Sequence, residues 1–501
     1  MLSAFFVNAQ ILPKEGKEVN YRLVPFSFPR TGAAKYRLEI AKTNSVNLDS
    51  FNAKVFKKVI IDSNKSLVEL PSFDTWYGWR VVSLDKDKKE TTGDIHLFKT
   101  GCTPHTDTNF FRLWVKKKAL KYKDAYVFCD VSKVLYNMKG EPVWYLPVIK
   151  GVLEPNVVVR DLKMSPDFSI TLLANDKPVE IDYDGLLMWR PPTNSVINQN
   201  DSNERYHHEF TKLKSRNYMV LGHETVFMDW VPKSKEDSIL IPQGQPWMRP
   251  NPEKMVGDNR LRNFYGTVIE YNFQGEIKWH WRSSTYYKQV DFRSCKTGKP
   301  LFDIHQNSFY FDEKRGNIYT SFKNIAQIVK IKYSGAQMSN IIGNIYYPGL
   351  PCPDSALFWD QHGIKVTENG EILVFNNNTL NLNRPPSVVL LHEDETNLYT
   401  AKKVWEYVYP INLNGQKRSE LTNGGNVVEL PDHSIFVNYC SPYSNVFIVN
   451  KKKELVWDAE IQHKNTNTKQ WVAYSSYRCS FISSQSDFEK MAWRNLKHYN
   501  R

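Results

Sequence analysis

The sequence predicts an all-β protein in which a six-bladed β-propeller follows a small N-terminal β-sandwich. The chain has 501 residues, more than one ordinary hydrophobic core accommodates, so two domains or one large repeat architecture is expected. Short runs of β-branched and aromatic residues between polar turns indicate strands. From about residue 101 these runs also recur as a repeated unit, which favours a propeller.

Residues 11–100 are predicted to form the sandwich domain. Residues 36–41, 54–61 and 79–84 alternate or cluster β-branched and aromatic side chains, and no long stretch of helical periodicity is visible. About seven short strands fit into this length, as in a small β-sandwich.

Residues 101–501 are predicted to form the propeller. An apolar strand, a turn that often carries glycine and an apolar strand ending near tryptophan occur six times. The four turn glycines are separated by 45, 90 and 60 residues, and the last two copies end at Trp405 and Trp457. Repeats of this size with two or more hairpins are typical of propeller blades. The polar insertion 191–205 is predicted to be a loop. The alternative is a large irregular β-protein with chance repeats. The six copies begin at Val134, Val179, Val268, Ile328, Val388 and Val446, and the turn glycines are Gly140, Gly185, Gly275 and Gly335.

The net charge of +13 suggests attraction to anions, but the basic residues are scattered. A solvated basic surface is favoured over a nucleic-acid footprint, since no zinc-finger spacing, Walker loop or RNA-binding signature is present. No apolar run approaches the roughly 20 residues that span a bilayer.

Residues 1–10 resemble the end of a secretory signal peptide, with a small-residue cleavage site at residues 7–9, although the basic n-region is missing. A periplasmic or secreted protein is therefore expected. Six cysteines are widely spaced without a Cys-x-x-Cys pair, which argues against a structural zinc site. One to three disulfides are compatible with export, but spacing does not assign them. The cysteines are Cys102, Cys129, Cys295, Cys352, Cys440 and Cys479.

Three histidines, His208, His305 and His362, each begin a copy of the same pattern of short strand, polar turn and apolar strand. A single histidine in a strand is more often structural, but equivalent strands of a toroid converge on one axis. The equivalent strands that start near residues 156 and 425 carry no histidine, so the predicted site occupies one side of the channel. Imidazoles in this arrangement suit either a transition metal or nucleophilic and acid–base catalysis. Nearby donors and cations suit transfer of an anionic group; they are Asn307, Lys323, Asn376 and Asn377.

These motifs resemble the PAPS-independent bacterial arylsulfotransferases. The resemblance rests on His207-His208-Glu209, Ile304-His305-Gln306-Asn307-Ser308, Gln361-His362-Gly363 with the following strand, residues 404–407 and 425–431, and Tyr477-Arg478. It covers roughly residues 100–485. It implies a periplasmic enzyme, without a cofactor, that moves a sulfuryl group from a phenolic sulfate ester to a phenol by a ping-pong route.

The resemblance also implies roles for individual residues. His362 matches the histidine that becomes transiently sulfated, and His208 and His305 match the partners that hold the sulfate oxygens and exchange protons. Asn307 matches a supporting donor, and His207, next to His208, is a further candidate for substrate binding. The aromatic residues Trp359, Tyr474 and Tyr477 are candidates for a phenol pocket, with ordinary packing as the alternative.

Three departures from the family pattern affect this interpretation. Lys323 stands where the family has an arginine, which keeps the charge but loses the bidentate fork. Gly363 replaces the aspartate that follows the catalytic histidine. The close cysteine pair before that histidine is reduced to Cys352.

The sequence therefore predicts an exported arylsulfate sulfotransferase acting on small-molecule donors and phenolic acceptors, with no metal and a homodimer as one option. The competing hypotheses are a non-catalytic propeller that binds sulfated or anionic glycans and a histidine-ligated metal enzyme.

Overall fold

A computed structural model describes residues 11–192, 205–229, 260–287, 290, 292, 301–343, 357–379, 383–394, 400–411 and 424–494. The predicted signal remnant at 1–10, most of the insertion at 191–205, and Cys295 and Cys352 lie outside the described residues.

The N-terminal part consists of two β-sheets, as predicted. The larger sheet has the strand order β1-β8-β6-β3-β4 with β7 beside β6, and the smaller sheet pairs β2 with β5. A short helix, Leu48–Ala53, is capped by the Asn47 side chain, which accepts a hydrogen bond from the Ser50 amide. The apolar core of this part continues into the first two blades, for example through Tyr21 and Trp144. The predicted domain boundaries stay a prediction. The strands are β1 Glu18–Val19, β2 Leu23–Ser27, β3 Lys35–Ala41, β4 Val55–Ile61, β5 Lys65–Glu69, β6 Thr75–Leu84, β7 Glu90–Thr92 and β8 His96–Thr100.

Six antiparallel sheets follow, each with four strands in sequential order apart from the first and last. Blade 1 contains β10 Tyr126–Cys129, β11 Val134–Asn137, β12 Pro142–Tyr145 and the late strand β34 Cys479–Ile482. Blade 2 contains β13 Val159–Met164, β14 Ile170–Ala174, β15 Lys177–Ile181 and β16 Leu187–Trp189. Blade 3 contains β17 Arg205–Lys212, β18 Tyr218–Asp229, β19 Arg260–Tyr271 and β20 Ile277–Arg282.

Blade 4 contains β21 Gln306–Asp312, β22 Asn317–Phe322, β23 Gln327–Lys332 and β24 Gln337–Gly343. Blade 5 contains β25 His362–Val366, β26 Ile372–Asn376, β27 Ser387–Glu393 and β28 Ala401–Val408. Blade 6 contains β29 Asn426–Glu429, β30 Ile435–Asn438, β31 Asn445–Val449 and β32 Leu455–Lys464, and β9 Phe111–Lys117 and β33 Trp471–Ala473 both pair with β32.

The six sheets close into a ring. Their innermost strands contact one another in the order β34, β13, β17, β21, β25 and β29, and β29 contacts β34 again. The closing strand β34 comes from the end of the chain and pairs with β10 at its beginning. The fold is therefore the predicted six-bladed propeller.

The repeated pattern in the sequence corresponds to the outer hairpin of every blade. The turn glycines Gly140, Gly185, Gly275 and Gly335 have φ between 82° and 85°, which favours glycine. The tryptophans join neighbouring blades, because each indole N–H donates to a backbone carbonyl in the outer hairpin of the next blade. These bonds run from Trp144 to Tyr183, Trp189 to Phe273, Trp279 to Tyr333, Trp405 to Lys451 and Trp457 to Met138. The last of them joins blade 6 to blade 1.

Two further α-helices are present in the described residues. Ser284–Tyr287 follows blade 3, and Gln485–Trp493 follows the closing strand, with Ser484 as its N-cap. No helix within the described ranges is long and apolar enough to cross a membrane.

Candidate active site

The three predicted histidines come together at one end of the channel. The ring centroids of His208 and His305 are 5.1 Å apart, and those of His208 and His362 are 5.8 Å apart. A cavity of about 410 Å³ opens beside His208 and His305, and Phe264 also lines it. The three histidines belong to three consecutive blades, so they lie on one side of the channel, as inferred from the sequence.

Irregular backbone at the start of the inner strands presents these side chains. Register shifts occur in β17 between Tyr206 and Phe210, in β21 between Gln306 and Ser308, and in β25 between His362 and Ile364. His208 and His305 have φ of 58° and 55°, an unusual conformation for residues other than glycine.

The histidines are not strictly equivalent, contrary to the simple repeat interpretation. His362 is the first paired residue of its strand, whereas His305 precedes the first paired residue Gln306 and His208 lies inside a bulge. Their convergence therefore depends on the bulges and not on register alone.

His362 is buried, with 3% of its surface exposed, and its tautomer is determined by its partners. Its Nδ1 lies 2.8 Å from the Gly425 carbonyl oxygen, which can only accept a hydrogen bond. Nδ1 therefore carries the proton, and Nε2 of the neutral ring has an unprotonated lone pair. The Tyr477 hydroxyl lies 2.7 Å from Nε2 and donates to it.

Tyr477 connects the nucleophile candidate to the second histidine. Its hydroxyl oxygen also contacts Nδ1 of His208. Because its single proton is directed at His362, the tyrosine oxygen accepts from His208 Nδ1–H. The three side chains thus form a short hydrogen-bonded chain from His208 through Tyr477 to His362. Tyr477, predicted as a substrate-binding aromatic, therefore lies in direct contact with the catalytic candidates.

His305 is oriented by Asp303, a residue that the sequence reasoning missed. One carboxylate oxygen of Asp303 accepts from the His305 backbone amide at 2.7 Å, and the other lies 3.2 Å from Nδ1. Burial opposes ionisation of Asp303, but the neighbouring His305 lowers its pKa overall. The Asp-x-His spacing was the available signal. The carboxylate balances the charge that the His305 ring carries when it is protonated.

His207 forms a wall of the cavity together with a further histidine, His223. Their rings stack with centroids 5.3 Å apart, and Phe264 meets the His223 ring edge-to-face. Nδ1 of His207 is buried without a hydrogen-bond partner. Burial is the main cause of the lowered pKa of His207, so this ring is uncharged at neutral pH.

Asn307 and Lys323 lie next to the histidines, but in different ways. The amide of Asn307 is fully buried and donates to the Gln361 carbonyl at 2.7 Å, which holds the backbone immediately before His362. Its Oδ1 is buried without a hydrogen-bond partner. The backbone amide of Lys323 donates to the His305 carbonyl, and its half-buried ammonium is close enough to lower the pKa of His362.

Arg478 supplies the main fixed positive charge beneath the histidines. It is buried and lies 3.1 Å from an Asp161 oxygen and 3.3 Å from a Glu209 oxygen, and it donates to the Asn307 carbonyl. Lys365 neutralises the other oxygen of Glu209 at 2.8 Å. Sequence reasoning named Arg478 only as part of a motif, because nothing in the local sequence shows that four blades meet at its guanidinium.

The electrostatic environment keeps the nucleophile candidate neutral. Burial is the first cause that lowers the pKa of His362 well below its usual value, and Arg478 is the second. Burial and the neighbouring histidines also lower the pKa of His208. At neutral pH both rings are uncharged, so Nε2 of His362 retains its lone pair for attack.

Gly363 is required by the packing of the neighbouring blade. Its φ is 65°, and a Cβ at this position would lie 2.8 Å from Asn426 Cα and 2.9 Å from the Gly425 carbonyl oxygen. An aspartate, as in the resembling family, would have to displace the strand whose carbonyl orients His362.

Trp359 is placed differently from the prediction of a substrate-binding role. It is 7% exposed and packs in the apolar core shared by blades 4 and 5. Its backbone amide donates to the Asn376 side chain. Ordinary packing therefore accounts for Trp359, since its ring points into a core and not into the cavity beside the histidines. Tyr474, the third aromatic, is 38% exposed and packs edge-to-face against Phe111.

Asp130 positions the segment that carries Tyr477 and Arg478, and it gives a testable pH dependence. Its carboxylate accepts from the Ser476 hydroxyl and the Arg478 amide, while burial raises its pKa to about 7. The folded state therefore binds this proton more tightly than the unfolded state, whose pKa is near 3.8. The resulting stabilisation is complete below the unfolded pKa and is lost as pH rises through about 7.

We expect Asp130→Asn to remove this pH-dependent contribution to the free energy of unfolding. Between about pH 5 and 8 the wild type should lose roughly 2–3 kcal/mol more stability than the variant, as measured by denaturant unfolding at each pH. Equal pH dependence in the two proteins would show that Asp130 is ionised throughout.

In the described part of the chain, no three or more His, Cys, Asp or Glu side chains are grouped in a way that could hold a metal ion. The arrangement provides instead a neutral nucleophilic imidazole, a tyrosine hydroxyl, a carboxylate-paired histidine and two cations. This set suits transfer of an anionic group through a covalent intermediate on nitrogen.

Comparisons with known proteins place the chain in a family. Solved structures with similarity include a protein of unknown function from Bacteroides caccae, 12% identical with a TM-score of 0.37, over 74% of this chain and 99% of that protein. An auxiliary nutrient binding protein from Bacteroides ovatus is 9% identical with a TM-score of 0.36, over 93% and 88% of the two chains. The calcium-binding protein regucalcin from Agrobacterium tumefaciens is 10% identical with a TM-score of 0.33, over 74% and 95%. These likenesses are too distant to indicate function, and no curated protein matches the chain.

The model of the arylsulfotransferase (ASST) family, in contrast, matches residues 130–414, which is more than half of the sequence. The chain therefore belongs to the arylsulfotransferase family, and this membership supports sulfotransfer as its class of reaction.

Proposed function

We propose that this protein is an exported arylsulfate sulfotransferase that transfers a sulfuryl group from a phenolic sulfate ester to a phenol through a sulfated His362. The observation that carries the proposal is the state of His362: Nδ1–H is bonded to the Gly425 carbonyl, so Nε2 carries no proton and its lone pair accepts from the Tyr477 hydroxyl. The signal-like residues 1–10 support a periplasmic or secreted location.

The first half-reaction follows from this geometry. Nε2 attacks sulfur, the N–S bond forms, and the bond from sulfur to the aryl oxygen breaks. The developing negative charge falls on the sulfuryl oxygens and the departing phenolate. Lys323 stabilises the oxygens, and His305, balanced by Asp303, delivers a proton to the phenolate.

The second half-reaction reverses these steps with a new phenol. His305 accepts the proton from the phenol, whose oxygen attacks sulfur, and the N–S bond breaks to regenerate neutral His362. Tyr477 occupies the lone pair of Nε2 in this structure, so the sulfate ester must displace its hydroxyl before attack. The displaced hydroxyl remains close enough to donate to a sulfuryl oxygen.

The test is detection of the intermediate. The purified protein is exposed to a chromogenic aryl sulfate without an acceptor, digested at alkaline pH and examined by mass spectrometry for a sulfated peptide that contains His362. Addition of a phenol should remove the modification and release a new aryl sulfate. Binding of the ester with neither release of phenol nor modification would instead favour the anion-binding alternative.

The lysine that replaces the family's arginine gives a second prediction. Lys323→Arg should raise kcat/KM for the aryl sulfate several-fold, because a guanidinium can hold two sulfuryl oxygens at once. Lys323→Met should lower it by 10-fold or more, since no charge remains. Steady-state kinetics of the three proteins checks this; equal values in all three would exclude a role for the side chain at position 323.

A further inference from the structure

Two buried cysteines face each other across the seam that closes the propeller. Cys129 on β10 and Cys479 on β34 are direct cross-strand partners. Their exposed fractions are 0% and 1%, and their sulfur atoms lie 3.6 Å apart.

The backbone around them has the geometry that a cross-link needs. The Asp130 amide donates to the Arg478 carbonyl, one residue beyond the pair on each strand. The amide and carbonyl of Cys479 bond instead to the side chain of Asn426 in the neighbouring blade. Cys129 and Cys479 are therefore a non-hydrogen-bonded pair, in which Cα atoms lie about 4.5 Å apart, within the range that disulfides span.

A bond at this position would act on both the fold and the site. It would join the first strand of blade 1 to the closing strand and so shut the ring covalently. The residues next to the pair, Asp130 and Arg478, hold the segment that carries Tyr477. The cross-link would thus lie one residue from the buried guanidinium under the histidines.

We propose that Cys129 and Cys479 form a disulfide that closes the propeller ring and braces the Tyr477–Arg478 segment. The two thiols lose two electrons and two protons, and a disulfide-containing oxidant, such as oxidised glutathione or a dithiol oxidase, is reduced to two thiols in return. Burial raises the pKa of the Cys479 thiol, so exchange is slow after folding and the bond forms while the seam is still open.

The test uses the full chain, produced in an oxidising compartment. Free thiols are blocked with N-ethylmaleimide in denaturant without reductant, and the protein is digested and examined by mass spectrometry. We expect the peptides of Cys129 and Cys479 to be joined and about 2 Da lighter than the sum of their reduced masses, and Cys440 to carry the label. Labelling of both cysteines, or linkage of either to another cysteine, would overturn the proposal.

A second measurement separates the bond from simple packing. Reduction with dithiothreitol in mild denaturant should lower the Tm of the wild type by about 5 °C, because the bond closes a very long loop. The Tm of Cys129→Ala should be insensitive to reductant, whereas Cys440→Ala, the matched buried control, should respond like the wild type. Equal sensitivity in Cys129→Ala and the wild type would contradict the assignment.

Discussion

His362→Ala is expected to abolish sulfuryl transfer, with a fall in kcat of at least about 1,000-fold. The reason is geometric: the proton of the His362 imidazole is bonded to the Gly425 carbonyl oxygen, and Nε2 keeps an unprotonated lone pair that accepts from the Tyr477 hydroxyl. Without it, both half-reactions lose their covalent intermediate. The measurement is release of the coloured phenol from an aryl sulfate, with and without an acceptor phenol.

Two controls sharpen this prediction. His392→Ala, on the exposed face of an outer blade strand, should leave the rate unchanged, which excludes a general effect of losing a histidine. Added imidazole should partly restore phenol release in His362→Gly, because a free imidazole can occupy the cavity left by the ring and accept the sulfuryl group. A His362→Ala protein that keeps more than a tenth of the wild-type rate would show that another residue is the nucleophile.

Arg478→Gln is expected to destabilise the protein by about 3–5 kcal/mol. The guanidinium is buried between Asp161 and Glu209, and its removal leaves each interior carboxylate with one lysine, Lys163 at 2.7 Å from Asp161 and Lys365 at 2.8 Å from Glu209. Chemical denaturation of the wild type and the variant measures the loss. Arg216→Gln, at an exposed turn, is the matched control and should change stability by less than about 0.5 kcal/mol.

The same variant should change the pH dependence of transfer. Arg478 lowers the pKa of His362, second only to burial, so its removal moves this pKa upward. The imidazole is then protonated at a higher pH, and the acid limb of the kcat/KM profile shifts toward neutral pH. Arg478→Lys keeps the charge and should leave the limb close to its wild-type position, although it loses the contact with the Asn307 carbonyl. An unshifted limb in Arg478→Gln would mean that Arg478 has only a structural role.

Local features of the sequence were sufficient for the fold. The hairpin turns favour glycine, and the terminal tryptophans bond to the next blade. Both residues recur because each outer hairpin has an equivalent neighbour. For the same reason the histidines near the starts of three inner strands were predicted to lie on one side of the channel, and the structure places them on three consecutive blades.

The remaining parts of the site had no such signal. Asp303 lies two residues from His305 and could have been found by its spacing, but Trp359 has an aromatic side chain next to the catalytic motif and nevertheless packs in a core. A short stretch of sequence does not distinguish a side chain that contacts the site from one that packs in a core, because the bulges decide which way each side chain points.

The sequence by itself determined the blade number and named the three histidines that the fold brings together, since both depend on patterns repeated from blade to blade. Only the tertiary structure decided which nitrogen of His362 carries no proton, which hydroxyl donates to that nitrogen, and which charge lowers the pKa of the ring. Gly425, Tyr477 and Arg478 lie 63 to 116 residues farther along the chain than His362, Gly425 just before the neighbouring strand β29 and the other two just before the closing strand β34. Contacts of this kind arise once in the molecule and leave no periodic trace, so a repeated sequence pattern does not predict them.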